Sequence, residues 1–112
     1  MNQYHEPVEK LNEETMNITR AIRSLIEEFE AVDWYNQRVA ATKDTELKAI
    51  LEHNRDEELE HAAMTLEWLR RKMPVLDKEL RDNLFSSGPI AGHHDDESEE
   101  APAKTLTIGK MK

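Results

Sequence analysis

No cysteine occurs among the 112 residues, which excludes a disulfide framework, a zinc–thiolate site, an iron–sulfur cluster and a cysteine nucleophile. Glycine and proline are scarce, at three and four residues, so little interrupts a long helix. No apolar run approaches the roughly 20 residues of a membrane span, and Met1 to Lys10 holds no hydrophobic signal core. A soluble, unexported chain with no membrane partner is expected. Positive charge is also short: 15 Lys plus Arg stand against 24 Asp plus Glu, a formal net charge of -9. Phosphate contact needs a basic surface, and the single basic cluster, Arg70, Arg71 and Lys72, falls just before Pro74. A helix should end there, and cations complement the dipole at its C-terminus. No nucleic-acid partner is expected, whereas an acidic surface suits cations.

What remains is a mixture of 38% apolar and 35% charged residues, enough for one small domain of helices with a wet face. Residues 1–11 form a lead-in without periodicity, interrupted by Pro7. A first helix should start at Asn12, a capping type followed by Glu13 and Glu14 in the first turn. Its apolar stripe is Ile18, Ile22, Leu25, Phe29, Val32, Asn36 and Val39, with Ile26 beside it. A break falls at Ala41 to Asp44, where Thr42 and Asp44 are both good caps for a second helix. Its stripe reads Leu47, Ile50, Leu51, Asn54, Glu58, His61, Thr65, Trp68 and Leu69, and Pro74 stops or kinks it. Val75 to Phe85 reads as a short third helix, completing a helical domain over 12–85. Residues 86–103 hold two of the three Gly, two of the four Pro and a run of acids, and predict a flexible linker. Residues 104–112 end the chain as a short apolar and basic peptide.

Two helices of roughly 30 residues are each about 45 Å long. A hairpin of that size leaves much apolar surface wet, so self-association is expected, most economically as two hairpins in a four-helix bundle. The chemistry-bearing positions support the same idea. Glu58 and His61, three residues apart, share a helix face, although with 17 Glu and five His such a pair is a weak pattern on its own. Their place is more telling: on a helical wheel both lie within about 40° of Asn54, inside the apolar stripe. A carboxylate at a core position needs a compensating charge, and a metal ion would supply one. The plainer alternative is a buried Glu–His hydrogen bond. Glu28 lies about 20–40° outside the first stripe, with Tyr35 a heptad further on. One chain thus offers two Glu and one His, half of the four-Glu, two-His set of di-iron carboxylate bundles, which a homodimer would complete.

Leu25 to Arg38, LIEEFEAVDWYNQR, and Ile50 to Arg71, ILEHNRDEELEHAAMTLEWLRR, resemble the encapsulated ferritins, a likeness covering nearly all of residues 4–90. The ending Leu106-Thr107-Ile108-Gly109-Lys110-Met111-Lys112 is similar to the targeting peptides by which cargo proteins bind the inner wall of encapsulin shells. The resemblance implies an all-α fold: an antiparallel two-helix hairpin, or half-ferritin, with a short C-terminal helix, dimerising into a ferritin-like four-helix bundle. It implies a ferroxidase that oxidises Fe(II) to Fe(III) with dioxygen at an inter-chain di-iron centre, a ring of five dimers, and iron storage inside a cytoplasmic encapsulin nanocompartment. The implied iron ligands fall on Glu28, Glu58 and His61, with Tyr35 beside the centre, and an outer metal-entry site falls on Glu27, Glu30 and Trp34. By the wheel those three cluster within about 60° on another face, and taken alone they read as a solvated surface with one exposed aromatic. Glu57 and Glu60 read as flanking charges, His53 as a helix-surface histidine, and His93 and His94 as part of a solvated tether; His5 carries no signal. Two rivals stand: a bundle using another metal such as manganese, and a non-catalytic helical adaptor whose Glu58–His61 pair is structural.

Overall fold

A computed structural model describes residues 3–92. Its elements are a 3-10 turn at Val8–Lys10 and three helices, α1 (Glu13–Ala41), α2 (Thr45–Lys72) and α3 (Pro74–Asn83), and no strand occurs among the described residues. The fold is all-α. The lead-in, expected to be without structure, contains that single 3-10 turn after Pro7.

Local chemistry explains each boundary. Asn12 caps α1, its side-chain oxygen accepting the N–H of Thr15 at 2.7 Å. At the break the two candidate caps divide the work. Thr42 closes α1, donating both its backbone N–H (2.9 Å) and its hydroxyl (2.6 Å) to the Arg38 carbonyl, while Asp44 accepts the N–H of Leu47 at 2.8 Å and opens α2. Pro74 ends α2 and becomes the first residue of α3, where its missing N–H leaves no bond unmade.

Arg70, Arg71 and Lys72 occupy the last turn of α2, as expected of helix-ending cations. Arg70 grips Glu67 with two bonds of 2.7 and 2.8 Å, and Arg71 adds a third at 2.8 Å. These bonds, Arg70 first, hold the Glu67 carboxyl down at about 2. A carboxyl depressed in the folded state contributes stability that is complete above its unfolded value and disappears as pH falls towards the folded one. Acid titration of the full chain followed by circular dichroism should therefore show a stability loss between about pH 4.5 and 2 that shrinks in Glu67→Gln. An unchanged acid profile in that variant would mean that the clamp contributes nothing.

The described chain divides into two compact units, one ending at Lys72 and the other beginning at Met73. In the first, α1 and α2 pack as an antiparallel hairpin. Asn36 of α1 accepts a hydrogen bond from Arg55 of α2 near the turn (3.2 Å), and Glu28 meets Thr65 further along. The second unit holds α3, braced by the i,i+4 pairs Arg81–Asp77 (2.9 Å) and Lys78–Asp82 (2.6 Å). Phe85, expected to be the last residue of this helix, lies beyond it with a left-handed backbone, φ 58°.

Among the described residues only Val39, Ala62 and Leu69 are buried, at 3–7% exposure. The α1 side facing α2 runs through Ile18, Ala21, Leu25, Glu28, Val32, Tyr35 and Val39, which are half-buried or buried. The α2 side runs through Leu51, Arg55, Glu58, Ala62, Thr65 and Leu69. This corrects both expected stripes. Ile22, Phe29 and Asn36 on α1, and Leu47 and Ile50 on α2, are exposed, whereas Glu28, Tyr35, Arg55 and Ala62 sit in the seam. The reason is geometric: each helix has one long neighbour within the chain, and one neighbour covers a narrower sector than the apolar arc the sequence provides.

The exposed apolar residues form two faces. By helical-wheel geometry Ile22, Ile26 and Phe29 lie within about 60° of one another, roughly 130° around α1 from Glu28. Ile50, His61 and Met64 lie within about 60° of one another on α2. The second face flanks an open cleft of about 400 Å³ lined by Asn17, Ala21 and Ser24 of α1 and Met64, Thr65 and Trp68 of α2, with Arg20 at its edge. Glu28 joins this side through Thr65.

Candidate metal centre

The 3.6-residue period sets Glu58 and His61 one turn apart on α2, with His61 Nδ1 3.6 Å from Glu58 Oε1. His61 Nε2 lies 3.9 Å from Glu57 Oε1. Both separations are too long for hydrogen bonds, so the plainer alternative, a buried Glu–His hydrogen bond, is not formed. Among the described residues neither imidazole nitrogen is committed to an acceptor. The side chains of Glu58 and His61 are 28% and 45% exposed, neither fully wet nor enclosed. Glu57, read from the sequence as a flanking charge, spans towards two histidines, since its other oxygen lies 3.5 Å from His53 Nε2.

Glu28 enters from the opposite helix. Its position in the seam follows from the register of the hairpin, and its Oε1 accepts a hydrogen bond from the Thr65 hydroxyl at 3.3 Å. Thr65 Oγ1 is also 3.1 Å from the carbonyl oxygen of His61. The sequence marks Thr65 only as a stripe position; no spacing rule pairs it with a residue 37 positions earlier. Tyr35, two turns beyond Glu28, is half-buried, and its ring is faced by the Arg38 guanidinium at 5.3 Å.

Glu27, Glu30 and Trp34 are all exposed, Trp34 by 51%, on the side of α1 turned away from α2. They therefore lie on a different face of α1 from Glu28. Trp68, on the cleft, has the Lys72 ammonium 5.5 Å from its ring.

The donor set is hard carboxylate oxygen plus one imidazole, with no thiol, which suits iron or manganese better than soft metals. Within one chain the set is incomplete. No group of three or more His, Asp or Glu capable of holding a metal occurs among the described residues. Glu58 and His61 are adjacent, whereas Glu28 meets Thr65, one turn beyond His61, and does not join them in a group of three. A half-site of this kind is what one protomer of a two-chain carboxylate centre would present.

An all-helical hairpin with carboxylates and an imidazole on its helices has the fold of the ferritin-like proteins. Residues 3–87 match the EncFtn-like family, and the chain belongs to that family. It is 64% identical over 89 residues to an encapsulated ferritin-like protein of Rhodospirillum rubrum, an alignment covering 80% of this chain and 64% of that one. The chain thus spans a little under two thirds of that relative's length. It is 60% identical over 89 residues to a ferritin-like protein of Thermotoga maritima, covering 80% of this chain and 78% of the relative. A more distant match, 31% identical over 126 aligned positions and covering 99% of this chain and 96% of the other, is an encapsulin nanocompartment cargo protein of Myxococcus xanthus. A crystal structure of a protein from Nitrosomonas europaea superimposes with a TM-score of 0.77 at 64% identity, covering 80% of this chain and 99% of that one.

Proposed function

We propose that two copies of this chain bind Fe(II) between them and oxidise it with dioxygen, as an encapsulated ferroxidase. The observation that carries this reading is the partial ligand set: adjacent Glu58 and His61 on α2, with Glu28 of α1 bonded to Thr65 one turn away, and no group of three or more possible ligands among the described residues. Pairing by a two-fold axis doubles each ligand and gives four Glu and two His. Iron is the substrate here. Glu58 of each chain would bridge two irons, with His61 and Glu28 flanking them and Tyr35 beside them; dioxygen accepts the electrons and Fe(III) leaves for storage.

The two exposed apolar faces support assembly beyond a dimer. One lies on the cleft side with the half-site and the other, Ile22, Ile26 and Phe29, lies away from it. Two distinct two-fold faces whose axes intersect would close the protomers into a ring, such as one of five dimers. Glu27, Glu30 and Trp34, outside the seam, would act as the entry site that collects Fe(II). Such a ring encloses no storage cavity of its own, so the mineral would form inside an encapsulin shell in the cytoplasm. No helix among the described residues is long and apolar enough to cross a membrane. The family's encapsulated and cargo-protein relatives support this shell partner.

The docking segment would be residues 104–112, through Leu106 to Lys112, which lie outside the described residues together with most of the 86–103 linker. Leu106 and Ile108 are short apolar anchors suited to a partner's groove, and Lys110 and Lys112 would add charge at its rim. Removing residues 105–112 should leave iron oxidation intact and prevent loading into a co-expressed encapsulin. A truncated chain that co-purifies with intact shells at full occupancy would place docking in the helices instead. The catalytic reading itself is tested by adding Fe(II) aerobically to the whole chain and following Fe(III) absorbance. Oxidation no faster than in protein-free buffer rejects it.

A further inference from the structure

A single hydroxyl stands between the ligand-bearing helices. Thr65 Oγ1 is 3.3 Å from Glu28 Oε1 on α1 and 3.1 Å from the His61 carbonyl oxygen, one turn earlier on α2. A hydroxyl has one proton, so it donates to only one of these acceptors at a time. Directed at the carboxylate, it ties Glu28 to the helix that carries Glu58 and His61. Directed at the His61 carbonyl, it makes the back-bond to residue i−4 that helical threonine readily adopts, and both Glu28 oxygens are free. Neither state leaves the half-buried hydroxyl unsatisfied, which would otherwise be unfavourable.

We propose that Thr65 is a positioning residue for Glu28. It holds the carboxylate beside α2 through Oε1 and keeps that bond while Oε2 stays available to metal. The inference rests on the iron-binding reading above and assigns Thr65 no contact with iron. Valine has nearly the same shape as threonine and lacks the hydroxyl, whereas serine keeps the hydroxyl and lacks the methyl. The two substitutions therefore separate the hydrogen bond from the packing.

The test uses the full chain and Co(II), whose visible absorption reports binding without turnover, beside Fe(II) oxidation. Thr65→Val should need about tenfold more Co(II) for half-saturation, the low end of what loss of an outer-shell partner costs a metal site, and Thr65→Ser should stay within about twofold of wild type. The Fe(II) concentration for half-maximal oxidation should rise with the Co(II) requirement in Thr65→Val, while the maximal rate changes by no more than about twofold. In the Glu28→Ala background, Thr65→Val should cause no further loss, because a residue acting through Glu28 has nothing left to position. Wild-type Co(II) affinity in Thr65→Val overturns the proposal, as does a Thr65→Ser variant as weak as Thr65→Val, or a full additional loss in the Glu28→Ala background. A wild-type chain that binds neither Co(II) nor Fe(II) instead overturns the iron reading itself.

Discussion

Replacing Glu58 or His61 with alanine should slow Fe(II) oxidation by more than about 100-fold, exceeding the range for loss of an outer-shell partner because a direct ligand is removed. Glu28→Ala should behave similarly, since its carboxylate is the part of the half-site that α1 contributes. Helix content should not fall in any of the three, because alanine is the strongest helix former and neither Glu58 nor His61 makes a short hydrogen bond that would be lost. An adaptor in which the pair is only structural would show the reverse, lowered thermal stability without an activity to lose. Changes at Glu27, Glu30 or Trp34 should alter the Fe(II) dependence of the rate and leave the centre able to form, since those residues lie on the back of α1. The control is Glu14→Ala, an exposed acid in the first turn of α1. Glu52, which a wheel places on the outer surface, is half-buried in the hairpin and is a poorer choice. Stopped-flow absorbance on the set decides the matter: a loss in Glu14→Ala equal to that in His61→Ala would attribute the series to general destabilisation.

Binding of Fe(II) should drive the chain from smaller species into dimers and rings. In the proposed shared site each protomer would supply half of the ligands, so metal would bind the associated state and stabilise it by mass action. At metal concentrations of about 100 times the dissociation constant, one site contributes about 2.7 kcal/mol, a shift of about 100-fold in the association constant. The paired faces are also held apart without metal, since bringing two copies together places Glu28, Glu57 and Glu58 opposite their own like charges. The exposed apolar residues pull the other way: Ile50 at 53%, Met64 at 59% and Phe29 at 51% exposure are surfaces that association would remove from water. Mass measurement with and without anaerobic Fe(II) reads the balance. A chain that remains monomeric in both conditions rejects a site shared between subunits, and Phe29→Glu should stop growth at the dimer while preserving the metal response.

The helices were legible because their causes are local. Asn12 and Asp44 announce themselves as caps, Pro74 as a stop and a start, and the Glu58–His61 pair follows from three-residue spacing on a single helix. The ending Leu106 to Lys112 was likewise read from local residues alone. The apolar stripes were less well resolved. A wheel counts every apolar residue as a core candidate and cannot tell which neighbour will cover it, so Ile22, Phe29, Leu47 and Ile50 look equivalent to Leu25 and Leu69. The Arg70 and Arg71 cluster was placed correctly at a helix end, yet its grip on Glu67 depends on side-chain rotamers that composition does not specify.

Sequence by itself determined an all-helical chain with three helices, the ends of the two long ones and one helix face bearing a carboxylate and an imidazole, because such features depend on residues within about four positions of one another. Tertiary structure alone decided the register between α1 and α2. That register sets Glu28 against Thr65 and Asn36 against Arg55, and it leaves Ile22, Ile26, Phe29, Ile50 and Met64 exposed. The physical reason is that sliding or rotating one helix against the other preserves every capping bond and every i,i+4 contact. Only the packing of side chains between the helices distinguishes one register from the next.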